Sequence, residues 1–207
     1  MIRGIRKTFA FAAAAVIAVG VGIGLSAAGL GQAAPAAKPA AKPAGASSNA
    51  AMAARGKYLV TIAVCNDCHT PFKMGDNGPE PDMTRFLSGH PADMALPPPP
   101  QPVGPWIASV SASFTAWSGP WGISYTANLT PDKDTGLGTW TSQQFVDTIR
   151  NGRVQGHGRQ LLPPMPWPAY KNMNDADLKA VFAYLRTIPA IKNKVPDPVI
   201  APPPPGK

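Results

Sequence analysis

Apolar side chains at Leu178, Val181, Phe182 and Leu185 fall at i, i+3, i+4 and i+7, the spacing that lines one face of a helix. Asn174 stands three residues ahead of Asp177 and suits the N-cap, Asp175 suits the positive end of the helix dipole, and Pro189 stops the segment. A second helix is predicted from Thr141, where Thr141-Ser142-Gln143-Gln144 has the capping-box pattern. Phe145 and Ile149 face inward there, and Asn151-Gly152 ends it. Residues 52–66 form a third: Tyr58, Ile62 and Cys65 recur at i, i+4 and i+7 with Leu59 and Ala63 beside them. Between these helices, residues 71–126 show neither period. They run through Pro71, Phe86 to Pro91, Leu96 to Pro100, Trp106, Trp117 and Trp121. Irregular stretches of that length are either functional or disordered. The tryptophans, each with a large apolar area that needs a packed site, argue for an ordered cover that could include a short hairpin. The expected fold is therefore all-α, a helical domain over residues 51–195 with a long Pro/Gly-rich loop insertion.

The flanks differ in composition. Residues 1–33 begin with Arg3, Arg6 and Lys7 and continue as an uncharged run from Thr8 to Gly31, the pattern of a signal peptide or, if retained, a membrane anchor through residues 8–31. Residues 34–50 read as an Ala/Pro/Lys linker, and residues 196–207 as a Pro-rich tail. The chain carries 26 prolines, 20 glycines and only 14% charged residues, which fits long irregular connections. Its formal charge of +8 suggests nucleic acid at first sight. Residues 1–50 hold five basic side chains and no acid, whereas residues 51–195 hold 13 basic and 10 acidic side chains. With no basic stripe on the domain, no nucleic-acid partner is expected.

The chemistry centres on Cys65-Asn66-Asp67-Cys68-His69. This Cys-x-x-Cys-His pattern attaches a c-type haem, with Cys65 and Cys68 as thioethers and His69 as an iron ligand. These are the only two cysteines of the chain, so one covalent haem c is expected and no cysteine remains for a further pairing. Two other uses of the thiols stay open: a zinc site of Cys65, Cys68, His90 and His157, and a thioredoxin-like dithiol, although no βαβ pattern surrounds it.

One histidine leaves the other face of the iron to be filled. Met165, in Leu161-Leu162-Pro163-Pro164-Met165-Pro166-Trp167, is the candidate, because the prolines hold its loop stiffly and a thioether raises the reduction potential relative to a second histidine. Met52, Met74, Met83, Met94 and Met173 compete as ligands or core fillers. His157, between two glycines, is the bis-histidine alternative, and a water-bound site is the third. His90 is expected to be structural. In Asn128-Leu129-Thr130-Pro131-Asp132, Asn128 or Thr130 is a candidate partner for a haem propionate. Asp132 and Asp134 hint at calcium without the spacing of a calcium-binding loop.

The order helix, Cys-x-x-Cys-His, long loops, Pro-Pro-Met-Pro and capped last helix resembles a mono-haem, class I-like c-type cytochrome. Gly56 and Tyr58, with Tyr184 and Leu185, sit where that family packs its first and last helices together. The segment from Asn128 through Thr135-Gly136-Leu137-Gly138 to Trp140 looks like cytochrome c subunits of periplasmic membrane-associated dehydrogenases, which often carry three haems where this chain has one motif. The resemblance implies a cytochrome c-like fold and an electron-transfer protein with His69/Met165 axial ligation that is not itself an enzyme. It also implies a periplasmic location, soluble or tethered to the inner membrane, and redox partners such as a dehydrogenase or terminal oxidase. A haem enzyme or gas sensor with an open sixth site, and a module that only docks a dehydrogenase, are the alternatives. The carbonyl that orients His69 through its second ring nitrogen is expected from the stretch Pro71 to Pro81.

Overall fold

The computed structural model describes residues 44–100 and 103–202. Residues 1–33, expected to be a signal peptide or membrane anchor, most of the expected linker and residues 203–207 lie outside the described residues, and no described helix is long and apolar enough to cross a membrane. The helices are α1 (Ala44–Ile62), α2 (Cys65–His69), α3 (Ser142–Asn151), α4 (Trp167–Tyr170) and α5 (Asp175–Leu185).

The first and last long helices pack together through a contact that only a residue without a side chain permits. A Cβ on Gly56 would lie 1.9 Å from the Ala180 carbonyl oxygen and 2.8 Å from Tyr184 Cβ. The two backbones therefore cross at nearly the minimum separation, which brings Leu59 and Val60 of α1 onto Leu178, Ala180, Val181 and Leu185 of α5. Phe145, Val146 and Ile149 of α3 complete the core, with the Phe145 and Phe182 rings 5.5 Å apart. Each fully buried aliphatic or aromatic side chain contributes about 1.5–3 kcal/mol. Outside this core Arg55 bridges to Asp177 at 2.9 Å, again joining α1 to α5.

Both expected caps form. Thr141 accepts from Gln144 N while Gln144 Oε1 accepts from Thr141 N, and Asn174 Oδ1 accepts from Asp177 N at 2.7 Å. The helix expected over 52–66 does not form as one piece. It starts earlier, at Ala44, inside the stretch read as linker, and stops at Ile62. Val64 then takes a left-handed conformation (φ 49°) and α2 starts in a new direction. The buried face also differs from the expected one. Tyr58 and Ile62 are more than half exposed, and Gly56, Leu59 and Val60 face the core.

The all-α expectation is overturned by strands. A hairpin joins β1 (Phe72–Gly75) to β2 (Gly78–Pro81). A second antiparallel sheet has the order β3 (Ser109–Val110), β4 (Ala116–Gly119), β5 (Gly122–Tyr125) and β6 (Val199–Ile200). Its strands are two to four residues long, too short to show a clear alternation among prolines and glycines, so periodicity did not reveal them. Closure by β6 was equally hidden, because Val199 and Ile200 stand in the proline-rich stretch read as a tail. β6 reaches β5 over Gly122, where a Cβ would lie 1.9 Å from the Val199 carbonyl oxygen.

The chain between Ile191 and β6 is laced to the domain by buried polar groups. Asn128 Nδ2 donates to the Ile191 carbonyl at 2.8 Å, and Asn193 Nδ2 donates to the carbonyls of Ser88 and His90. Gly56→Ala should force α1 and α5 apart and cost about 1–3 kcal/mol, as overpacking typically does. A lowered urea midpoint with an unchanged slope would record it.

Candidate haem site

α2 is a little over one turn long and carries all three residues of the motif. Tyr170 of α4 donates from its hydroxyl to the Ala63 carbonyl at 2.5 Å, holding the break that lets α2 turn away from α1. Beneath α2, Thr70 Oγ donates to Asn66 Oδ1 at 2.7 Å and accepts from Leu87 N, while Gly89 N donates to the His69 carbonyl. The helix is thus fixed at both ends.

His69 is buried, and its Nδ1 lies 2.7 Å from the Ala127 carbonyl oxygen. A carbonyl only accepts, so Nδ1 carries the proton and the Nε2 lone pair is free to bind a metal. Burial lowers the His69 pKa, opposed by this hydrogen bond, and keeps the ring in the neutral form that ligation requires. The orienting carbonyl thus comes from Ala127 and not from the expected stretch Pro71 to Pro81. A backbone acceptor 58 residues away leaves no mark in side-chain identity. Its position is set from both sides, since His90 N donates to the Thr126 carbonyl and Leu129 N donates to the Leu87 carbonyl.

Burial also pushes the Cys65 thiol up to about 11 and raises that of Cys68. Both sulfurs are neutral at ordinary pH, in keeping with conversion to uncharged thioethers. Met165 is half-buried and packs against the core cluster, as do Cys65, Leu129, Trp140 and Tyr170. Its loop is tied to the sheet by Ser124 Oγ, which donates to the Pro163 carbonyl at 2.6 Å. Neither Ser124 nor Tyr170 stood out in the sequence, as an isolated hydroxyl carries no pattern.

Other candidates are placed elsewhere. His90 is fully buried, with Nδ1 2.9 Å from Thr115 Oγ and Nε2 3.2 Å from the Met94 carbonyl, a structural role. His157 is exposed in its turn. The zinc alternative is not assembled, since among the described residues no three His, Cys, Asp or Glu side chains come together. The aspartates hinting at calcium are otherwise engaged: Asp132 Oδ1 accepts from Asp134 N, Thr135 N and Thr135 Oγ, and Asp134 pairs with Lys192. Asn128 and Thr130, the expected propionate partners, are buried and engaged with each other and with Ile191. Met52, Met74, Met83 and Met94 are exposed, whereas Met173 packs at the edge of the core.

The residues present fit a haem on the chemistry of the donor set. Two neutral thiols and an imidazole with its second nitrogen already bonded share one short helix, and the partly buried thioether of Met165 packs against the same core cluster as Cys65. Among the described residues, three buried polar atoms, Trp117 Nε1, Trp121 Nε1 and Thr126 Oγ, have no hydrogen-bond partner.

Helices packed around a Cys-x-x-Cys-His turn define a covalent-haem domain. The cytochrome c family profile matches residues 53–189, about two thirds of the chain, and the protein belongs to the cytochrome c family. The chain is 31% identical over 159 residues to the fructose dehydrogenase cytochrome subunit of Gluconobacter japonicus, covering 74% of this chain and 26% of that protein. It is 32% identical over 137 residues to the gluconate 2-dehydrogenase cytochrome c subunit of Pantoea cypripedii, covering 66% and 23%. A nicotinate dehydrogenase subunit of Pseudomonas putida is 29% identical over 150 residues, covering 72% and 10%. The chain therefore spans about a quarter or less of the length of these relatives.

Ser124→Ala and Tyr170→Phe each remove one hydrogen bond that anchors the loops around the site. Each is expected to cost about 1 kcal/mol, read from urea unfolding of the haem-loaded protein followed at the Soret band.

Proposed function

We propose that this chain carries electrons on one covalently held haem, attached through Cys65 and Cys68 and ligated by His69 and Met165. The observation that carries the reading is the buried His69 ring. Its Nδ1–H is fixed on the Ala127 carbonyl, so Nε2 is directed as a ligand from the same short helix as both cysteines. The haem, when bound, supplies the one-electron chemistry of its iron. The protein supplies a low-dielectric wall, a fixed ligand orientation and exclusion of water. Rigid ligands on both sides keep rearrangement small when the charge of the iron changes, which suits transfer and not catalysis. A single haem follows from the presence of only two cysteines.

The electron donor in this reading is a dehydrogenase, by similarity to the fructose and gluconate dehydrogenase subunits, and the acceptor is a second redox protein. A location outside the cytoplasmic membrane rests on the basic start and the uncharged run from Thr8 to Gly31.

The pigment should stay with the polypeptide in acidic acetone and leave it in the Cys65→Ala/Cys68→Ala variant. The oxidised protein should show the weak far-red methionine-to-iron charge-transfer band. Met165→Ala should abolish that band, lower the reduction potential and admit carbon monoxide to the ferrous iron. A band that survives the substitution would rule out Met165, and rapid carbon monoxide binding by the unaltered protein would point to an open-site enzyme or sensor.

A further inference from the structure

The chain from Met94 to Pro131 contains no Asp, Glu, Lys, Arg or His, although residues 51–195 carry 13 basic and 10 acidic side chains. Those charges all lie before this stretch or after it. Within it, residues 103–108 are exposed without interruption. Val103, Trp106 and Ile107 are 75%, 77% and 63% exposed, and Trp106 N donates to the Val103 carbonyl, closing a turn that holds the tip together. Exposed apolar surface of this extent, without a charge among it, marks a contact site.

Beside the tip is a groove of about 590 Å³ between the run Leu96 to Pro100 and the second sheet, with Ser109, Ser118, Ile123 and Tyr125 in its lining. The strand register explains this lining. Ser109 opposes Ser118, Ser118 opposes Ile123 and Ile123 opposes Val199, so the four share one face of the sheet, and alternation adds Tyr125. Ser124 stands on the other face, where it donates to the Pro163 carbonyl in the Met165 loop. The groove therefore opens away from that loop. Ile107 precedes Ser109 by two residues, a span of at most about 7 Å, which puts the tip at the groove's rim.

We infer that this face joins two copies of the chain about a two-fold axis, with Trp106 and Ile107 of each copy seated in the groove of the other. A two-fold contact requires a self-complementary patch, and a projecting tip beside an apolar groove supplies both halves. The polar chemistry matches too. A buried indole N–H needs an acceptor, and the hydroxyl-bearing side chains of Ser109, Ser118 and Tyr125 line the groove. A tryptophan buries about 150–250 Å². With Val103, Ile107 and the walls they cover, each copy contributes on the order of 800 Å², the size of a standard interface. The absence of charge decides between occupants. Segments that bind an anionic lipid surface carry Lys or Arg beside their apolar residues, and a transient redox partner is steered by complementary charge. This face offers neither, whereas two copies of a domain with a basic surplus meet here without repulsion. The insertion then serves to pair two domains while leaving the Met165 loop uncovered.

The test is sedimentation equilibrium of the intact, haem-loaded protein. A dimer is expected at micromolar concentration, unchanged from low to high salt because no ion pair holds it. Trp106→Lys on the exposed tip and Ile123→Asp in the groove should each halve the mass and leave the Soret band unaltered. Mixing the two variants should restore a dimer, since one half of the interface is then intact and the other brings opposite charges together. Should Ile123→Asp fail to fold, Trp106→Lys alone still decides. A wild-type monomer overturns the inference, as does a dimer that survives Trp106→Lys. A wild-type monomer that floats with vesicles of phosphatidylethanolamine and phosphatidylglycerol assigns the tip to a bilayer instead. One in which Trp106→Phe removes the emission of a buried indole assigns the groove to a segment of the same chain. Pigment lost in acidic acetone would overturn the haem reading and leave this one standing.

Discussion

The 2.7 Å hydrogen bond between His69 Nδ1 and the Ala127 carbonyl is the constraint on which the arrangement depends. A neutral imidazole can ligate through either nitrogen, and only a fixed acceptor on one of them decides which. The acceptor must itself be immobile, and the surrounding chain serves that need. The segment 126–129 is bonded to 87–90, which in turn is bonded to Thr70 and His69. Asn193 then straps Ser88 and His90 from the far side. The irregular segments around His69 are held as firmly as the helices, because their backbone groups are paired with one another.

Two different kinds of packing meet at this point. The helices α1, α3 and α5 form a conventional apolar core whose closest approach is set by Gly56. The sheet is tied to the Met165 loop by Ser124, and the loops beside it are joined to one another by polar contacts of Asn128, Thr130 and Asn193. Cys65, Cys68 and His69 sit at the junction, on a short helix that leaves α1 at a left-handed Val64 and is steadied by Tyr170. That backbone conformation is uncommon for a β-branched side chain. Its place immediately before Cys65 is what swings the attachment helix out of line with α1.

The placement also explains why some candidate ligands lose their claim. His90 and Asn128 are chemically able to bind iron or a propionate, yet each is consumed in holding one loop to another. Among the described residues, Trp117 and Trp121, which in the sequence look only like packing residues, have indole N–H groups without a hydrogen-bond partner, as has the Thr126 hydroxyl. A side chain's chemistry shows what it can bind, whereas its neighbours determine whether the binding group remains available.

Local signals were sufficient wherever the physics is local. The caps of α3 and α5, the buried stripe Leu178, Val181, Phe182 and Leu185, and the pairing of Gly56 with Tyr184 could all be read from residues a few positions apart or from the family resemblance. The family itself was legible for the same reason, from the Cys65-x-x-Cys68-His69 motif that lies within the matched residues 53–189. The break at Val64, the strands, the return of Val199 and Ile200 to β5, and the choice of Ala127 as the partner of His69 were not. Each depends on backbone groups that meet across 58 or more residues or on strands too short to carry a period, and only the closed tertiary structure decides such pairings.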